Sequence, residues 1–161
     1  MTFVIDSRPS ARIAGTAVGP DARNLRRSVR KAQMGRSNSV QVQRFADAFV
    51  ALLEACGDAS EANWDGYGGQ PISIESFLAA EDLLQTLPPD IPLPEVDVHP
   101  DGQVGLDWVI DRDHMFSLAV DDKGTVAYAG HSGAAKVSGR EAFAGTFPST
   151  VYFHLARVLR A

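Results

Sequence analysis

The sequence predicts an α+β fold. It should hold a small antiparallel three- to four-stranded meander, helices packed on one of its faces, and a flexible basic N-terminal arm. Three observations carry this reading. Apolar residues recur with helical spacing between residues 40 and 87, and again after Pro148. Between residues 96 and 128 they alternate instead, interrupted by Asp-Gly and Lys-Gly turn signals. Charge then divides the chain: residues 1–44 hold nine Arg or Lys against two acids, and residues 45–161 hold six against 18. Such asymmetry marks a basic tail on an acidic body.

Residues 1–37 read as the arm and residues 38–161 as a single acidic domain. Pro9, Gly15, Gly19, Pro20 and Gly35 punctuate the arm, and only Arg23 to Lys31 offers a short helix, with Leu25 and Val29 at i,i+4. Asn38 and Ser39 suit the start of a helix from Val40 to Cys56, and Gly57 suits its end. Phe45, Phe49, Leu52, Leu53 and Cys56 would form its core face. Ser73 can cap a second helix reaching Leu87, where Pro88-Pro89 stops it, with Ile74, Phe77, Ala80, Leu84 and Leu87 as its stripe.

Five prolines from Pro88 to Pro100 mark an extended link into strands. Val96 and Val98 alternate with acids, and Pro100-Asp101-Gly102 turns the chain. Val104, Leu106, Trp108 and Ile110 then share one face, with Gly105, Asp107 and Val109 on the other. Phe116, Leu118 and Val120 repeat the pattern, and Val126 with Tyr128 leads a third long strand. Ala134 to Val137 would be an edge strand. Pro148 fits the first position of a last helix carrying Val151, Leu155, Val158 and Leu159.

Composition narrows the function classes. A length of 161 residues corresponds to about one domain. The longest apolar run, Ala48 to Leu53, is far short of the ~20 residues that cross a bilayer, so no membrane role is expected. Cys56 is the sole cysteine, which excludes an intrachain disulfide and any multi-cysteine zinc site. On its helical face it reads as a small buried hydrophobe rather than a nucleophile. A cytoplasmic protein is expected. The arm has three readings. It is a solvated tail, a cleaved presequence, or a nucleic-acid arm in which Arg23, Arg26, Arg27, Arg30 and Lys31 meet phosphates within residues 1–44.

The segment that most needs a role is the 16-residue connection Gly57 to Ile72. Connections of this length are uncommon unless functional or disordered, and this one is not disordered in composition. It holds Asn63, Trp64, Asp65, Gly66, Tyr67, Gly68 and Gly69 in succession. Trp64 and Tyr67 are either anchors that pin the loop or contact residues of a recognition loop. The glycines permit unusual backbone conformations, but neither a phosphate-binding loop nor a dinucleotide fingerprint is present.

At these residues the chain resembles a family of small, mostly uncharacterised bacterial proteins. Their shared features are an Asn-Trp-Asp-Gly-Tyr-Gly-Ala/Gly loop followed by Pro-Ile, and an Asp-Gly-x-Val/Ile-x-Leu-Glu/Asp-Trp strand. The likeness covers Asn63 to Tyr128, with Gly69 where the family often has Ala and Asp107 where it often has Glu. It implies a bacterial, cytoplasmic origin and carries no activity.

No catalytic constellation emerges, and neither a cofactor nor a metal is expected. None of His99, His114, His131 and His154 lies at helical ligand spacing to another, so only a cross-strand site of His99, His114 and His131 would remain. The leading expectation is a non-enzymatic interaction module, antitoxin- or immunity-like by analogy. It would bind a basic protein through the Trp64–Tyr67 loop, with Asp107 and the acidic body contributing. A nucleic-acid accessory protein using the arm is one alternative. A small-ligand or metal-dependent enzyme with a site near Asp65, Tyr67 and Asp107 is another.

Overall fold

A computed structural model describes residues 20–160, with side chains throughout from Asn38 onward. The chain divides into two compact units, Met1–Asn38 and Ser39–Ala161. Of the arm expected over residues 1–37, residues 1–19 lie outside the described residues, and residues 20–37 are helical.

Helix α1 runs Pro20–Asp58, α2 runs Ile74–Gln85 and α3 runs Ser149–Leu159. Helix α1 therefore starts twenty residues before the expected Val40. The run RNLRRSVRKAQM is rich in good helix formers. Gly35, whose missing side chain would meet nothing within 4 Å, costs such a helix only ~1 kcal/mol. Within the second unit α1 buries Ala48, Leu52 and Cys56, and Ala59 just past its end is buried too, while Leu53, expected in the core, is exposed.

Ser73 caps α2 as its sequence suggests, its Oγ accepting the Ser76 N–H at 3.0 Å. The buried residues of α2 are Ser76, Ala80, Leu83 and Leu84, and Leu87, beyond its end, is buried as well. Ile74, expected in its apolar stripe, is 69% exposed, while Ser76 two positions on is buried. Phe49 of α1 meets Phe77 of α2 edge to face at 6.1 Å. Pro148 is the N-cap of α3 rather than its first residue.

The sheet has five strands, not three to four: β1 Glu95–Val98, β2 Val104–Asp111, β3 His114–Val120, β4 Thr125–Ser132 and β5 Ala135–Ala142. They lie in sequence order and pair antiparallel throughout. β5 is a full eight-residue partner of β4, although only Val137 gives it an apolar signal. An edge strand with a solvated face is held by ladder hydrogen bonds and needs few apolar residues.

Alternation places Val104, Leu106, Trp108, Phe116, Leu118, Val120 and Val126 in the core beneath α2 and α3. Ile110 falls out of this set because the register shifts between Val109 and Asp111. Trp108, Phe116, Tyr128 and His154 form a ladder of rings at 6.0–6.3 Å that ties β2, β3 and β4 to α3. The proline link is closed from both sides. Arg44 donates to the Pro89 and Ile91 carbonyls, and the Trp108 indole N–H donates to Pro92 O at 2.9 Å.

Candidate functional site

The Asn63–Gln70 loop joins α1 to α2 and is closed by its own residues. Asn63 adopts φ +63°, a conformation that asparagine tolerates better than most residues. Its N–H donates to Gly69 O at 2.7 Å, its carbonyl accepts the Gly66 N–H, and its Oδ1 accepts the Gly68 N–H at 2.8 Å. Asp65 Oδ1 accepts the Tyr67 and Gly69 N–H groups, both at 2.8 Å. Those two bonds hold the Asp65 carboxyl below its ordinary pKa. Gly66 and Gly68 take φ +75° and +94°, which side-chain-bearing residues rarely adopt.

Trp64 fastens this ring to the body. It packs against the core, and its Nε1–H donates to Gln70 O at 3.0 Å. Gln70 in turn donates its N–H to Pro100 O at 2.8 Å, so the loop rests on the β1–β2 turn. Gly69 fits between Asp65 and Trp64, where a Cβ would come within 2.9 Å of both side chains. Tyr67 is treated differently. Its backbone is fixed by Asp65, but its side chain is 95% exposed.

Asn63, Trp64, Asp65, Gly66, Tyr67 and Gly68 thus form one structural unit, and Asp107 is not part of it. Asp107 lies on the face of the sheet turned away from α2 and α3, beside Glu95 and Ser117. It is five positions along β2 from the turn that supports the loop, about 16 Å at ~3.3 Å per residue. Asp65, Tyr67 and Asp107 therefore do not converge on one pocket. Arg23, Arg26, Arg27, Arg30 and Lys31 belong to the backbone of α1, and their side chains lie outside the described residues.

The histidines are dispersed as well. His99 lies beside Asp97 at 3.7 Å, near the β1–β2 turn. His114 contacts Asp111 at 2.8 Å at the opposite end of β2, and His131 Nε2 lies 3.1 Å from the Arg112 carbonyl. Among the described residues no group of three or more His, Cys, Asp or Glu is placed to hold a metal ion. Cys56 is buried, and desolvation pushes its thiol up to about 11, which keeps it protonated. No helix among the described residues is long and apolar enough to cross a membrane.

One signal bearing on the site was open in the sequence and is sharper than the overall charge split. From Phe45 to Asp111 there are 14 acids and neither a lysine nor an arginine. The Tyr67 loop sits inside this stretch, with exposed Glu61 and Asp101 near its base.

No family model matches the chain, and no match is found among curated proteins or solved structures.

Proposed function

We propose that the chain is a non-enzymatic protein-interaction module of bacterial type, antitoxin- or immunity-like, which engages a basic partner through the Tyr67 loop. The observation that carries this reading is the contrast inside the loop. Asn63, Trp64 and Asp65 order its backbone, yet the largest side chain at its tip, Tyr67, is 95% exposed. Because the backbone that carries Tyr67 is already held, burying it orders only one side chain with two torsions, a small cost for the area a tyrosine brings to an interface. The acidic stretch around it would steer a basic protein toward the loop and reject acidic ones. The Asn-Trp-Asp-Gly-Tyr-Gly likeness supports a bacterial setting for such a module.

The test places a photo-cross-linking amino acid at position 67 of the full chain, in lysate of the source cells, beside Tyr67→Ala in a pull-down. A discrete basic protein cross-linked at position 67 and lost from Tyr67→Ala is the expected result. A partner retained at full yield by Tyr67→Ala would remove the loop from the interface.

A further inference from the structure

The face of the sheet turned away from α2 and α3 carries an ordered pattern of charge. The register sets three rows across it. Asp97, Gly105, Ala119, Ala127 and Arg140 form one row, and Glu95, Asp107, Ser117, Ala129 and Ser138 form the next. Val109, Met115, His131 and Lys136 form the third. Acids stand only on β1 and β2, while Lys and Arg stand only on β5. No charged residue stands on β3 within these rows. We infer that this face pairs with the same face of a second copy of the chain, about a two-fold axis running along β3 between the two sheets.

Charge selects that axis. Rotation about a line parallel to β3 exchanges β1 with β5 of the second copy and β2 with its β4, and it keeps each row over itself. Asp97 then faces Arg140 of the other copy, twice per dimer. Ala119, Ser117 and Met115 each meet their own counterparts, and Asp107 faces Ala129. The alternative axis, across the strands, stacks the acidic strands on each other and β5 on β5. Like charges placed in that way are strongly disfavoured. Both axes keep the strands nearly aligned, as packed sheets prefer, so charge decides between them.

Shape agrees with the same axis. Alanine and serine fill the middle of the face, so two sheets can close to the usual ~10 Å. A shallow hollow of about 440 Å³ lies over β3 to β5, bounded by Met115, Ser117, Ala129, His131, Lys136 and Ser138. Val109 on β2 is 53% exposed. The axis along β3 brings Val109 over His131 of the second copy, at the mouth of that hollow. Gly105 has its own cover, since the Asp97 carboxylate and the His99 ring fold over it.

Area sets the strength. Four strands of seven or eight residues and the four-residue β1, ~4.8 Å apart, give a face of roughly 450 Å², or about 900 Å² in total for two copies. That lies below the ~1,200 Å² at which standard specific interfaces begin, so the pairing is of the weak, reversible class. The Tyr67 loop belongs to the helical connection and remains free, so this pairing stands apart from the proposed partner binding.

Sedimentation velocity of the full chain over roughly 1–300 µM tests the inference. The wild type is expected to pass from monomer to dimer. Arg140→Asp alone and Asp97→Arg alone should each weaken dimerisation at least tenfold, and the double exchange should restore it. Circular dichroism and the monomer sedimentation coefficient of each single variant check that it is folded. A monomer at every concentration would overturn the proposal, as would a dimer indifferent to Arg140→Asp or a double exchange without recovery.

Discussion

Trp64 and Tyr67 stand three residues apart in one loop, and the loop turns one inward and the other outward. Trp64 packs on the core and bonds Gln70 O, while Tyr67 projects into solvent. The two should therefore respond differently to truncation. Trp64→Ala should lower stability by about 2 kcal/mol, the scale for removing a largely buried aromatic side chain. Tyr67→Ala should stay within about 0.5 kcal/mol of wild type, as exposed sites do. Urea unfolding of each single variant measures both. Equal losses would mean that Tyr67 is an anchor as well.

The loop also makes a prediction about acid. Asp65 has a lowered pKa because its charged form accepts the Tyr67 and Gly69 amides. Its stabilising contribution is complete above the unfolded value of about 3.9 and is lost as pH falls through the lower folded value. The Tyr67 and Gly69 amide resonances should titrate together with a midpoint below 3.9. Asp65→Asn should abolish that titration. Asp97 has the opposite sign. Burial raises its pKa against the pull of His99, so its contribution favours low pH and is lost as pH rises through the folded value.

Two glycines of the sheet should differ in their tolerance of a methyl group. At Gly130 a Cβ would lie 2.6 Å from the Phe116 ring, which is fully buried between Trp108 and Tyr128. That ring cannot retreat, so Gly130→Ala should cost about 2 kcal/mol through overpacking. At Gly105 the obstruction is the Asp97 carboxylate and the His99 ring, both partly exposed. These can swing aside, so Gly105→Ala should cost less. Thermal melts that reverse this order would show that Asp97 and His99 are held more firmly than their exposure indicates.

Cys56 should be close to inert. Its thiol, raised from 9.0 to about 11, has roughly a 100-fold smaller thiolate fraction at neutral pH than an unburied one. Labelling with a thiol reagent should therefore follow unfolding, rising with urea along the unfolding curve. Rapid labelling of the native protein would contradict its placement in the core.

Several of these features were legible in the residues themselves. The alternation of Val104, Leu106 and Trp108 against Phe116, Leu118 and Val120 placed two strands and their buried face. Ser73 marked the start of α2 because a hydroxyl before an apolar stripe has a defined partner in the first turn. The Asn63–Gly69 loop stood out by its length and its glycines. Other features left a weaker trace. β5 has the sequence AKVSGREA, and backbone pairing to β4 carries it without an apolar pattern. The differing fates of Trp64 and Tyr67 depend on a ring of backbone hydrogen bonds that composition does not encode. The rows of the open face depend on register, which the turns and the shift at Val109 set.

The simple strand order has a consequence for how the protein is made. Each strand pairs with the one before it, so the sheet can zip up hairpin by hairpin as the chain leaves the ribosome, with every loop short. The covering of β4 comes later, because α2 reaches only β2 and β3 and α3 supplies Val151, Leu155 and Val158 after all five strands are complete. A nascent chain that has emerged only as far as Phe147 carries a zipped sheet in which Tyr128 lacks its His154 neighbour. In that interval the growing polypeptide is most open to chaperones, proteases and neighbouring nascent chains.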